Sequence, residues 1–200
     1  MMKSLRRLAA IAALGALVFG FTGCDQEEGN SRLIPEVVSF NENAPLASDV
    51  WHLNGTPDDP FDDYVPIDWA EIVIKARVAD PALALSTNTP FGNLHFTSYR
   101  VQFIDGVNSG GADLNGDGTI DLENYEAPMN LMVPAGGTAV GAIEIVPIQA
   151  KLESPISDTR GGGTYRTSAI VTFIGKEETS GRSIETTRGL DVTIGNLADE

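Results

Sequence analysis

One cysteine, two histidines and 13 basic residues against 28 acidic ones are the scarcities of this 200-residue chain. Each removes a class of function. With a single cysteine, Cys24, no internal disulfide is available, so an exported domain must hold by core packing, aided or not by metal. The two histidines, His52 and His95, share no ligand spacing that would suit zinc, and no serine and aspartate pattern accompanies either as a triad. His95 falls in a strand pattern and reads as a partly buried structural residue. A formal net charge of −15 disfavours nucleic acid and anionic membrane surfaces, because phosphate binding needs clustered Lys and Arg. No apolar run approaches the roughly 20 residues of a membrane-spanning helix; Leu8 to Phe21 holds 14. Gly106-Val107-Asn108-Ser109-Gly110 places its serine one position late for a nucleophile elbow. Gly161-Gly162-Gly163 lacks the Lys-Ser/Thr of a phosphate loop and reads as a turn. Nothing selects two of the many carboxylates as a glycosidase pair.

What is present begins at the N-terminus. Lys3, Arg6 and Arg7 precede the apolar run, and small residues close it at Phe21-Thr22-Gly23-Cys24. A basic segment, a short apolar segment and a small-residue cut site describe a secretory signal. Leu5 and Ala9 break the twin-arginine pattern around Arg6-Arg7. The junction resembles the lipobox of bacterial lipoproteins, with Phe21 where Leu is usual. The resemblance implies that Cys24 receives a diacylglyceryl group and becomes the first residue of the mature chain. It further implies a cell-envelope location, lipid-anchored to a membrane with the domain outside the cytoplasm. Asp25 stands where an aspartate favours inner-membrane retention in enterobacterial lipoproteins. The expected organisation is a signal peptide (1–23), a flexible polar tether (24–33) and one domain (34–197). Loss of residues 1–23 leaves 10 basic and 28 acidic residues, a balance that favours solubility and cation binding.

From Ile34 the apolar period is two, as in half-buried strands. Ile72, Ile74, Ala76 and Val78 form one inward set, and Thr97, Tyr99, Val101 and Phe103 a second. Tyr165, Thr167, Ala169, Val171 and Phe173 form a third, with Leu190, Val192 and Ile194 closing the pattern. Met129–Val133 and Ala139–Val146 are joined through a Pro134-Ala135-Gly136-Gly137 turn, and Gly175–Arg182 reads as a hairpin tip. Only Ile148–Glu153, bracketed by Pro147 and Pro155, suits a short helix. About seven β-branched and aromatic strands predict an all-β, antiparallel β-sandwich. That strand count resembles immunoglobulin and fibronectin-III-like modules, without the tryptophan–cysteine signature of true immunoglobulin domains.

Asp113-Leu114-Asn115-Gly116-Asp117-Gly118-Thr119-Ile120-Asp121 sets side-chain oxygens at alternate positions and glycine at the sixth. Hard oxygens on a tight loop suit a hard cation. The segment resembles EF-hand and dockerin-type calcium loops, which implies Ca2+ held by Asp113, Asn115, Asp117, the Thr119 carbonyl and Asp121. Asn124 replaces the bidentate Glu of the EF-hand pattern, and Glu123 or Asn124 is expected to complete the shell in a weak, structural site. Ile120 is the apolar residue expected to tuck inward. The bland reading is a surface turn, since Asp, Asn and Gly are common turn formers.

A second cluster lies between the two tryptophans. Trp51, His52, Phe61, Tyr64 and Trp69 enclose Asp58, Asp59, Asp62 and Asp63. The loop is either a lid whose aromatics cover the core or a contact surface for a protein or glycan partner; the lid is the slightly favoured expectation. The function expected from all this is a non-enzymatic binding or assembly module on a lipid anchor. Its partner would meet this loop or an exposed sheet edge. The alternative is a carbohydrate-active or other hydrolytic surface protein built from loop carboxylates.

Overall fold

The computed structural model describes residues 32–52, 63–79, 92–104 and 110–197. The signal segment, Cys24, most of the tether, Phe61 and Asp58, Asp59 and Asp62 lie outside them. Along the chain run β1 (Leu33–Phe40), β2 (Leu46–Asp49), β3 (Trp69–Val78), β4 (Leu94–Ile104), β5 (Gly111–Ala112) and β6 (Leu122–Glu123). They are followed by β7 (Tyr125–Val133), β8 (Thr138–Glu144), α1 (Ile148–Leu152), β9 (Thr164–Glu177) and β10 (Ser183–Gly195). Seven of these strands are long; β2, β5 and β6 are short.

The chain is all-β. One sheet has the order β1-β3-β8, and a five-stranded sheet has the order β2-β10-β9-β4-β7 and curls as a half-barrel. Alternating side chains point to opposite faces of a strand, so Ala70, Ile72, Ile74 and Ala76 of β3 are buried while Glu71, Lys75 and Arg77 are exposed. The inward sets of both sheets meet in one core. Phe40 of β1 contacts Phe173 of β9 edge to face, ring centroids 6.0 Å apart.

Three details depart from the expected pattern. Leu33, expected in the tether, is buried at the start of β1. Pairing is not wholly antiparallel, because β2 runs parallel to β10 from Leu46↔Val192 to Asp49↔Gly195. Thr97 faces solvent, since a register shift between Phe96 and Ser98 breaks the alternation of β4 against both its neighbours. Leu94 and Phe96 on one side of the bulge and Tyr99, Val101 and Phe103 on the other are all buried. An extra residue is the device that keeps both apolar halves facing inward.

Two turns carry the chain between sheets. Asn41, Glu42 and Asn43 all have positive φ, and the Asn41 side-chain amide donates to the carbonyls of Ala44 and Pro45. This left-handed turn moves the chain from β1 in one sheet to β2 in the other. The Pro134–Gly137 turn does the same for β7 and β8, which pair with β4 and β3 respectively and not with each other.

Candidate functional site

The 113–121 loop is closed by its own carboxylates. Asp113 accepts from the N–H groups of Gly116 and Gly118 at 2.7 and 2.8 Å. Asn115 Oδ1 accepts from the Asp117 N–H, and Asp117 Oδ1 from the Thr119 N–H. Asp121 Oδ2 accepts from the Leu114 N–H at 2.7 Å. Gly116 and Gly118 sit at φ +78° and +90°, where a Cβ is strained, which is why the loop carries glycine there. The hydrogen bonds from Thr119 and then Asn115 hold the Asp117 carboxyl below the ordinary carboxylate range. The short β5–β6 ladder forms the base of the loop, pairing Gly111 with Glu123 and Ala112 with Leu122.

Its apolar anchor differs from expectation. Ile120 is 38% exposed, whereas Leu122 is buried and Leu114 packs partly buried against the core. The reason is strand phase: Leu122 is paired opposite buried Ala112, and Ile120 lies outside the ladder over Gly111. Asn124 is turned to another task, accepting from the Phe103 N–H at 2.8 Å and tying the end of β4 to the loop. Glu123 is exposed on β6. Among the described residues no three His, Cys, Asp or Glu side chains gather as a metal group. Of the five loop donors only three are acids, the others being the Asn115 amide oxygen and the Thr119 carbonyl. The set is all hard oxygen, and each carboxylate retains lone pairs beyond the hydrogen bonds named.

The aromatic segment divides in two. Trp51 is half-buried against the core, with the Arg160 guanidinium 4.3 Å above its ring. A cation over an aromatic face adds attraction to the burial. Tyr64 and Trp69 turn outward, 50% and 59% exposed. His52 and Tyr64 form an isolated antiparallel bridge, through N–H···O contacts of 2.9 and 3.3 Å, and their rings lie 4.9 Å apart. Trp51 thus packs inward on the core, and Trp69 stands on the outer face of β3, opposite Glu144 of β8. His95 is half-buried on β4 and contacts Asn130 Oδ1 through Nε2 at 2.8 Å.

What fastens this segment was not legible in the sequence. Lys151 of α1 is fully buried. Its ammonium donates to the carbonyls of Asp49 and Pro66 at 3.0 and 2.8 Å, and to Asp68 Oδ2 at 2.5 Å. Three acceptors satisfy all three donors of the ammonium, so the segment leading into Trp69 is strapped to the end of β2 and to α1. Nearby, Tyr99 and Tyr125 both reach the Glu144 carbonyl, at 3.1 and 2.7 Å. Burial raises both phenols above the ordinary tyrosine range.

No family model, curated protein or solved structure matches the chain.

Proposed function

We propose that the chain is an acyl-anchored envelope lipoprotein whose domain is an immunoglobulin/fibronectin-III-like sandwich, stabilised by calcium and acting as a non-enzymatic binding or assembly module. The observation that carries the binding role is the division between the tryptophans. A protein gains little by placing a large aromatic outward on a central strand, and Trp69 follows directly on Asp68, which the buried Lys151 holds, with Tyr64 of the same segment also exposed. Outward aromatics on a rigid support favour contact with a partner.

Strand order supports the sandwich. If β1, β3 and β8 are taken as A, B and E, and β4, β7, β9 and β10 as C, C′, F and G, the sheets read ABE and GFCC′. Calcium is assigned to Asp113, Asn115, Asp117, the Thr119 carbonyl and Asp121, supported by the glycine-shaped loop and its hard-oxygen set. Since Asn124 already serves Phe103, Glu123 is left to complete the shell. Anchoring is assigned to Cys24, on the Phe21-Thr22-Gly23-Cys24 junction.

The binding role is tested by placing a photoreactive residue at position 69, with position 104 on the other sheet as control, and illuminating whole cells. The expected result is a discrete adduct at 69 and none at 104. No adduct from either, or equal adducts from both, contradicts the reading.

A further inference from the structure

We infer that β8 is the docking strand for an extended, lysine- or arginine-bearing segment of a partner protein, added as a fourth strand to the β1-β3-β8 sheet with its cationic side chains against Trp69, Glu71 and Glu144. The inference rests on the binding-module reading and names its partner class and geometry.

The two edges on this side of the domain are built differently. β7, the edge of the five-stranded sheet, contains Pro128, which has no N–H to offer, and a register irregularity on its paired side. Prolines and bulges are the usual protection of an edge strand. β8 has neither. It pairs with β3 without a break from Glu144 to Thr138 and is the last strand of its sheet among the described residues. Its sequence, TAVGAIE, contains no Lys, Arg or Pro. Val140 is 62% exposed, and Ala139, Gly141 and Ala142 are small enough for another backbone to approach closely. A cavity of 280 Å³ runs along the strand between β8 and β7, bounded by Trp69, Tyr99, Leu131 and Ile143. Unpaired backbone gives affinity in strand addition, and alternate side-chain pockets give specificity.

Charge selects the occupant. The outward residues in register at this edge are Trp69 with Glu144, Glu71 with Ala142, and Val73 with Val140. Trp69 thus stands between two acids, one of which, Glu144, also accepts from the Ile148 N–H through Oε1. An aromatic face flanked by carboxylates suits an ammonium or guanidinium. A second copy of the chain brings a further net charge of −15, which opposes self-pairing here.

The test uses the full chain in detergent at about 0.15 M salt, with two labelled synthetic octapeptides as probes, (Val-Lys)4 and (Val-Glu)4. The lysine peptide is expected to bind at least tenfold more tightly than the glutamate peptide. Val140→Lys and Trp69→Ala, both at exposed positions, are expected to weaken it at least tenfold while leaving melting unchanged. Slowed amide exchange in β8 on peptide addition is the expected signature of strand pairing. Equal binding of both peptides, binding unaffected by Val140→Lys, or a wild-type dimer that Val140→Lys dissolves would each overturn the inference. An adduct at position 69 in cells together with any of these results leaves the binding module standing and removes only its strand-addition mechanism.

Discussion

A lysine with no solvent contact must find acceptors for three donors, and Lys151 finds two carbonyls and a carboxylate that come from two separate segments, Asp49 and Pro66–Asp68. Lys151→Ala leaves Asp68 and both carbonyls without their donor, and removing one partner of a buried pair costs about 3 kcal/mol or more. Denaturant unfolding is expected to show that loss, with part of it restored in Lys151→Met combined with Asp68→Asn. The same segment separates the tryptophans. Trp51→Ala is expected to cost about 2 kcal/mol, for lost packing and lost contact with Arg160, whereas Trp69→Ala should cost about 0.5 kcal/mol or less, as an exposed substitution does. Tyr99 and Tyr125 carry a pH dependence. A tyrosine is uncharged when protonated, and burial raises both folded pKa values. Their contribution to stability is therefore complete below the unfolded value of about 10 and is lost as pH rises above it. Near-ultraviolet phenolate absorbance should show two tyrosines that ionise only with unfolding; early ionisation of all four contradicts the burial. Little of this was readable from sequence. A lysine in Ile-Gln-Ala-Lys-Leu looks like any solvated helix residue, because its partners lie 83 to 102 positions away.

At the scale of elements, the period-two runs located β3, β4, β9 and β10, since alternation is the direct imprint of one buried face. The same rule mis-set Thr97, because a bulge adds a residue without altering composition. Its cost falls on β9. Gly175 is in register with Phe96, and a Cβ there would press on the His95 carbonyl, with the Phe96 Cα only 2.7 Å away. Backbone does not yield as a side-chain tip does, so Gly175→Ala is expected to destabilise by about 2 kcal/mol, measured by thermal or denaturant unfolding; a neutral result would show that β4 shifts freely at the bulge. β2 escaped notice for a different reason. Four residues, Leu46–Asp49, are too short for a period to register, and only the left-handed turn at Asn41–Asn43 delivers them to β10.

For the whole molecule, composition was informative about what is missing and the fold about what is presented. A chain with one cysteine has no internal disulfide to hold it, and a bound cation would add to its stability. Calcium at about ten times its dissociation constant should add about 1.4 kcal/mol by mass action. A melt with calcium against chelator is expected to shift upward, and Asp113→Ala with Asp117→Ala should abolish the shift; identical wild-type curves would leave the loop as an ordinary turn. Net charge and strand pattern both follow from side-chain identity and so were legible. Which aromatics face outward was not, because that depends on long-range contacts, Lys151 with Asp68 and Arg160 over Trp51.

The central claim is that Trp69 serves contact and not the core, and it is tested most directly by Trp69→Ala in a chain carrying a photoreactive residue at position 64. The account predicts a melting temperature within about 2 °C of the parent and a cellular adduct at position 64 reduced about tenfold or more. A large fall in melting temperature with the adduct retained would contradict it.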